Sequence, residues 1–422
     1  MKLIDLILND DNLNEACTRV IRAKGTNGVD KMSTSDLKNY LNENREELKS
    51  SIRNRQYKPS PVLRVEIPKD DGSKRGLGIP TVKDRMIQQA ISQVLSPIYE
   101  EVFSDSSFGF RPKRNAHMAI ERALNHMNQG KEWVVDIDLE KFFDKVNHDK
   151  LMQIVSDTIK DGDVISLIRK FLVSGIVIDD EYKEATIGTP QGGNLSPLLG
   201  NIILNELDKE LESRNLSFVR YADDCLIFVG SEKAADRVMK NVTKYLEEEL
   251  KLKVNVSKSQ VRKPEGLKFL GFSFIKDRRF LYVARPHKTS IKKFKEKIKR
   301  ITSRSWSVTI SERLSRLKYL FRGWFNYFKH DELKTFCISI DSYTRFRLRM
   351  CIWKQWKTIR NRQKSLVKLG INKNKAWEWA NSRKGYARVA SSFIMQRSVT
   401  NEILKKKGYL ELESLHAQYI LS

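Results

Sequence analysis

The stretch Tyr221-Ala222-Asp223-Asp224 joins two strand-like runs, residues 216–220 and 225–230. Two adjacent carboxylates inside apolar, β-prone sequence are costly to bury without a compensating cation. A turn between two pairing strands would push both acids out of the sheet toward one spot, where a divalent metal could neutralise them. A bare exposed acidic hairpin turn is the alternative. Asp oxygens with positions left over for water and phosphate are what Mg²⁺ prefers. A single acidic pair is too few for two metals, and the best third carboxylate is Asp138, in Asp136-Ile137-Asp138-Leu139-Glu140-Lys141-Phe142-Phe143-Asp144. Residues 133–139 read as a strand, and period-two alternation puts Asp136 and Asp138 on one face. Three carboxylates on adjacent central strands suit two Mg²⁺ ions that bridge an attacking oxygen and a leaving phosphate. That pattern points to phosphoryl-transfer chemistry.

Charge distribution points to the partner. Of the formal +26, positions 281–422 carry +24, with 33 Lys and Arg against 9 Asp and Glu, leaving +2 for positions 1–280. A near-neutral two-thirds joined to a basic third is the footprint of a polyanion partner. Cys17, Cys225, Cys337 and Cys351 are far apart and form no CxxC pair, which argues against a disulfide framework or zinc module. No window approaches a membrane span, and the first ten residues do not read as a signal peptide. A reducing, cytoplasmic setting without membrane contact is expected.

The pattern along the chain is α+β. Residues 1–60 read as amphipathic helices broken at 24–30, residues 62–68 and 75–80 as a hairpin, and residues 84–95 as a helix ending before Ser96-Pro97. Ser196-Pro197 reads as N-cap and first helical residue of a helix to about Glu212. A helix at 232–250 and short strands at 252–256 and 267–272 follow. Strand, helix, strand-turn-strand, helix, strand is the order of a ferredoxin-like layer. Beyond about residue 285 the pattern is helical and basic.

In order along the chain stand Ile67-Pro68-Lys69, Arg75-Gly76-Leu77-Gly78-Ile79-Pro80-Thr81, Ser107-Phe108-Gly109-Phe110-Arg111-Pro112 and the Asp138 motif. They are followed by Gly188-Thr189-Pro190-Gln191-Gly192-Gly193 with Leu195-Ser196-Pro197-Leu198-Leu199, the Asp223-Asp224 turn and Phe269-Leu270-Gly271-Phe272. This series resembles the group II intron-encoded reverse transcriptases and maturases, of the compact bacterial group IIC kind. The resemblance implies a right-hand polymerase. An N-terminal extension would cover 1–60, fingers and ferredoxin-like palm 61–284, a helical thumb or maturase domain 285–380, and a short DNA-binding appendage 381–422. It implies that Asp138, Leu139, Asp223 and Asp224 form the site of two Mg²⁺ ions, with Mn²⁺ able to substitute, the three acids being catalytic. Lys69 and Arg75 would grip the triphosphate of a dNTP. Phe143 would lie under its sugar and reject a 2′-hydroxyl, and Gln191 and Gly192 would let the nucleotide approach closely. Lys258, Leu270 and Gly271 would serve primer and template.

In the basic third, Phe294, Ile298 and Ile301 recur at helical spacing among lysines, the pattern of a helix packed on one stripe and facing phosphates elsewhere. Lys292, Lys293, Lys297, Arg300, Arg345 and Arg349 are the candidate RNA contacts. Arginines beside Phe346, Trp353 and Trp356 suit phosphate binding and stacking on unpaired bases. The expected partners are group II intron RNA, an RNA template with a DNA primer, and target DNA, whereas monomer and dimer are both open. Gly200 stands where the family more usually has alanine. No His-Asn-His endonuclease pattern is visible, so a primer from elsewhere is expected. Two rival readings stand beside the polymerase: a domesticated or defence-associated reverse transcriptase without an intron, and an RNA-binding splicing factor without synthesis.

Overall fold

The computed structural model describes residues 2–68, 72, 74–179, 181–189, 192–329 and 333–421. The chain divides into two compact units, residues 1–270 with 275–283, and residues 271–274 with 284–422.

The first unit begins with helices α1 (Leu3–Ile7), α2 (Asp10–Ala23) and α3 (Leu37–Arg53), whose buried stripes pack with α4 (Val82–Glu100) into one apolar core. Between them the hairpin β1 (Val62–Pro68) and β2 (Lys74–Ile79) pairs antiparallel, Leu63 with Ile79 through Pro68 with Lys74. Helix α4 continues through Pro97 to Glu100, past the expected end at residue 95, because Leu95 and Tyr99 are buried and Tyr99 stacks on Phe103. Tertiary burial outweighs the one backbone hydrogen bond that proline removes. Helices α5 (Ala116–Asn128), α6 (Phe142–Lys145), α7 (His148–Thr158) and α8 (Gly162–Leu172) flank β3 (Trp133–Ile137) in sequence. The short pair β4 (Ile176–Ile178) and β5 (Glu181–Lys183), not foreseen from sequence, extends the first sheet to the order β2-β1-β4-β5, with β4 parallel to β1.

The second sheet carries the acids. After α9 (Ser196–Ser213), strands β6 (Ser217–Tyr221) and β7 (Asp224–Val229) form the hairpin. Then α10 (Glu232–Glu248) leads to β8 (Gln260–Arg262). The order β6-β7-β3-β8, antiparallel throughout, is the ferredoxin-like arrangement expected. Its fourth strand is not residues 252–256, of which only Val254 bridges, to Leu139; Gln260–Arg262 pairs with β3 instead. Nor do residues 267–271 form a strand: Leu270 and Gly271 both take positive φ in a turn ahead of β9 (Phe272–Lys276), which pairs with β10 (Tyr282–Pro286). Ser196 is the first helical residue of α9 rather than its cap, which is Leu195.

The second unit is helical: α11 (Lys288–Ile301), α12 (Ile310–Phe328), α13 (Lys334–Gln355), α14 (Ile359–Lys368), α15 (Lys373–Ala380), α16 (Tyr386–Ser391), α17 (Phe393–Ser398), α18 (Asn401–Lys406) and α19 (Leu412–Leu421). Phe294 stacks on Trp324 with ring centroids 4.5 Å apart, and Phe321, Phe325 and Phe328 are buried around them. Six consecutive residues of α13, Leu348 to Trp353, are buried, so this helix is enclosed by its neighbours. Residues 409–413 dock on it: buried Asp341 accepts hydrogen bonds from the Tyr409 hydroxyl (2.7 Å) and the Leu412 and Glu413 amides. No described helix is long and apolar enough to cross a membrane, and all four cysteines are buried and free.

Candidate active site

Strand β3 lies between β7 and β8, with Ile137 opposite Cys225 and Asp136 opposite both Leu226 and Gln260. Asp138 follows directly, at the strand's end. Its carbonyl accepts from the Asn255 amide (2.8 Å), and its own amide donates to the Ser259 hydroxyl (3.0 Å). The turn 255–259 thus clamps the backbone that presents Asp138, and exposed Lys258 stands in that turn. Across the sheet, Tyr221 pairs with Asp224, leaving Ala222 and Asp223 as the two turn residues.

Ala222 has a left-handed φ of +57°, which costs a residue with a Cβ about 1–2 kcal/mol. The surroundings enforce it. Arg220, fully buried, holds fully buried Asp208 through both ends of its fork (2.7 and 2.5 Å) and donates to the Ala222 carbonyl and to Asn201 Oδ1, both at 3.0 Å. Asn201 in turn donates to the Gly109 carbonyl (2.8 Å). The segment 106–108 runs along β6, with Arg220 donating its amide to Ser106 and accepting from Phe108. A side chain on Gly109 would bring a Cβ within 2.2 Å of the Ala222 nitrogen, so only glycine lets this strap lie against the turn. Arg111 anchors its other end on Glu100 and on the Ser104 and Ser107 carbonyls. None of Arg220, Asp208 or Asn201 was singled out from sequence. The signal was the arginine placed directly before the Tyr221-Asp224 turn, which needed a buried acid from α9 that strand pattern cannot supply.

The acids act on one another. Asp224 is pushed up to about 6 by desolvation and then by the charges of Asp223, Asp136 and Asp138, with Lys268 opposing. Because its side chain still reaches solvent, water attenuates the desolvation, and the surplus negative charge is the durable feature. Asp136 is likewise pushed up to about 6, by burial first and by Asp138, against a hydrogen bond from Gln260. Among the described residues no three His, Cys, Asp or Glu side chains close into a ligand cluster. The acids bear on one another electrostatically. Hard oxygen donors with unneutralised charge fit a divalent cation. Lys268, a cation bearing on Asp224, was not anticipated.

The remaining candidates are distributed as follows. Lys69 and Gln191 lie outside the described residues, and of Arg75 only the backbone is described, paired with Ile67 in the hairpin. Leu139 is 7% exposed and bridges to Val254. Phe143 is buried at the edge of accessibility and packs edge-on against Phe142 at 4.9 Å. Both rings crowd Gly200, where a Cβ would stand 3.1 Å from Phe142 Cε1 and 3.2 Å from Phe143 Cε1. Gly192, at φ +122°, lies so close to the Gly78 carbonyl that a Cβ would be 2.4 Å from it. Its glycine is therefore required by its own neighbour in β2. Gly271 accepts hydrogen bonds at its carbonyl from the His287 amide and the Ser290 hydroxyl.

Two of the RNA candidates are corrected. Arg349 is 9% exposed and donates to the Val399 carbonyl and Asn401. Arg345 is ion-paired with Glu411 at 3.0 Å with little side-chain exposure. Both are spent holding the C-terminal helices on α13. Lys292, Lys293, Lys297 and Arg300 are exposed on α11, as the stripe pattern required.

Residues 67–274 match the model of the reverse transcriptase (RNA-dependent DNA polymerase) family, and residues 291–370 that of the group II intron, maturase-specific domain. Protein YkfC of Escherichia coli (strain K12) is 33% identical over 318 residues, 66% of this chain and 84% of the relative. The group II intron-encoded protein LtrA of Lactococcus lactis subsp. cremoris is 42% identical over 171 residues, 40% of this chain and 28% of LtrA. The putative COX1/OXI3 intron 2 protein of Saccharomyces cerevisiae (strain ATCC 204508 / S288c) is 31% identical over 311 residues, 59% of this chain and 35% of that protein. The chain thus matches about a third or less of the length of the two intron proteins. A ferredoxin-like sheet with electrostatically coupled acids, two family models met in order and a relative matched over most of its length lead to one conclusion: the chain belongs to the reverse transcriptases that carry a group II intron maturase-specific domain.

Proposed function

We propose that this chain extends a DNA primer on an RNA template with dNTPs, and that it binds the group II intron RNA that encodes it and assists its splicing and retrohoming. The electrostatic coupling of Asp224 with Asp223, Asp136 and Asp138, from the paired strands β3 and β7 and the β6–β7 turn, carries the reading. The family uses divalent metal ions. Here Asp138, Asp223 and Asp224, with Leu139 beside them, would hold two Mg²⁺ ions, and Mn²⁺ would substitute. When bound, such ions neutralise the transferring phosphoryl group and activate the primer hydroxyl. The protein's own part is positional. The Arg220–Asp208–Asn201 network fixes the turn, the 255–259 turn fixes Asp138, and Lys268 moderates the acid surplus. Phe143, seated by Gly200, would exclude a 2′-hydroxyl; Lys69, Arg75, Gln191 and Gly192 would bind the nucleotide, and Lys258, Leu270 and Gly271 the primer and template.

In the same reading residues 285–380 are the thumb and hold intron RNA, and residues 381–422 meet target DNA. In this reading the protein is of the compact bacterial IIC kind and acts in a bacterial cytoplasm. Primer extension on poly(rA)/oligo(dT) with Mg²⁺ is the test. Incorporation of dTTP is expected, and a wild-type chain that incorporates none would overturn the enzyme reading.

A further inference from the structure

The loop 302–309 between α11 and α12 walls a cleft of about 570 Å³ lined by Arg304, Trp306, Arg313, Cys351, Lys354 and Lys357 among others. No acid stands among the described residues that line it. Arg313 sets this cleft apart from an ordinary basic surface. It is 2% exposed, its two terminal nitrogens donate to the Ile301 and Trp306 carbonyls, and its Nε–H is buried without a partner. A buried guanidinium is normally matched by a carboxylate, since an uncompensated buried charge is costly. Among the described residues none pairs with Arg313, whereas the neighbouring Glu312 is taken by Arg316. The surroundings reinforce the charge. Burial pushes the Cys351 thiol up, while the charges of Arg313, Arg347, Arg304 and Lys354 bear on it in the opposite direction. The N-terminus of α12, a 19-residue helix, opens at the same place and adds its positive end.

Trp306 also lines a second cleft, of about 720 Å³, with Arg300, Arg316 and Tyr319. Tyr319 is 74% exposed, and the Arg316 guanidinium stands 4.8 Å from the Trp306 ring. Aromatic side chains beside arginines are what unpaired RNA bases stack on. A basic hollow for phosphate next to an aromatic one for a base matches a strand of RNA better than an acidic peptide, which would leave the second cleft unused.

We propose that the loop 302–309 is an RNA-docking element: a phosphodiester of an unpaired RNA segment sits in the Arg313 cleft, and the adjoining base rests against Trp306 and Tyr319. The inference rests on reading residues 291–370 as RNA-binding. It adds the site, which none of the lysines of α11 defines.

The test uses the full chain and a short fluorescein-labelled oligouridylate carrying one 4-thiouridine. The variant Arg304→Gln/Lys354→Gln/Lys357→Gln removes three exposed charges of the cleft and leaves Arg313 in place. The matched control, Lys373→Gln/Lys375→Gln/Lys384→Gln, removes three exposed charges elsewhere in the same unit. The cleft variant should lose about tenfold in affinity, with a salt slope shallower by roughly 0.7 per lost phosphate contact, while the control changes less than about threefold. Photocrosslinks should map to residues 300–319. Equal losses in both variants, no loss in the cleft variant, or crosslinks confined elsewhere would overturn the proposal. Displacement of the RNA by millimolar inorganic phosphate would mark a small-anion pocket and also overturn it. Primer extension by the cleft variant should match the wild type; a parallel loss would assign the cleft to the template–primer and sink the proposal. A wild type that shows cleft-dependent RNA affinity but no dNTP incorporation would sink only the polymerase reading.

Discussion

Asp224 and Asp136 give the site a pH dependence with a definite sign. Each is an acid whose folded pKa is raised to about 6, so ionisation is resisted in the folded protein. In metal-free protein their contribution to stability is greatest below the usual carboxylate range and is lost as pH rises from about 4 to about 6. Metal binding needs the ionised forms. At limiting Mg²⁺, synthesis should therefore fall as pH drops through about 6, by up to tenfold per unit, and saturating Mg²⁺ should move the fall to lower pH. Single-nucleotide incorporation across pH checks this, and a flat profile from 5 to 8 would be inconsistent with it. Asp224→Asn should raise the metal-free Tm near neutral pH, because it removes a repelling charge. It should also lower synthesis on the order of 10³-fold, about 4 kcal/mol of transition-state stabilisation. A second residue-scale prediction concerns Gly200. Alanine would gain about 1 kcal/mol of helix propensity, but its Cβ would press on both phenylalanine rings. Gly200→Ala should leave stability within about 1 kcal/mol of the wild type and change the ratio of dNTP to rNTP incorporation. An unchanged ratio would show that Phe143 does not read the sugar from this seat.

At the scale of elements, the acidic turn depends on groups far from it in sequence. Arg220 spans Asp208, Asn201 and Ala222, so its removal leaves a fully buried carboxylate unpaired. Arg220→Ala should cost about 3–5 kcal/mol, read by urea unfolding, and should abolish synthesis. The double variant Arg220→Met/Asp208→Leu separates two roles. It removes the stranded charge and should recover most of the stability, yet it lacks the donor to the Ala222 carbonyl and should stay impaired in synthesis. Full recovery of both would mean that the network only stabilises. The hairpin and its acids were legible because period-two alternation and turn chemistry are local. The supporting network was not, since nothing local marks Asp208 on an amphipathic helix as the partner of a strand arginine. The same limit explains α4 and β8. Burial of Leu95 and Tyr99 carried a helix through Pro97, and pairing with β3 chose residues 260–262 over the more apolar 252–256.

Across the whole molecule, charge was the readable quantity and its use was not. The +24 of residues 281–422 was plain from composition, and the lysines of α11 are exposed as their spacing required. Arg345 and Arg349 look equally basic in sequence, but they sit on a helix buried on most sides and spend their donors on Glu411, Val399 and Asn401. Composition cannot tell an arginine that meets phosphate from one that meets a carbonyl. The division of charge nonetheless has a measurable consequence. If RNA affinity resides in the basic third and chemistry in the acids, the two should separate under mutation and under salt. Asp223→Ala should abolish synthesis while keeping RNA affinity within about twofold, under roughly 0.4 kcal/mol. The logarithm of affinity should fall linearly with the logarithm of salt, at about −0.7 to −0.9 per neutralised phosphate, with the same slope in wild type and variant. Filter binding of one RNA over a salt series, beside primer extension on the same preparations, measures both. A variant whose RNA affinity drops tenfold along with synthesis would show that the acids and their metals hold RNA as well, and the separation of roles would fail.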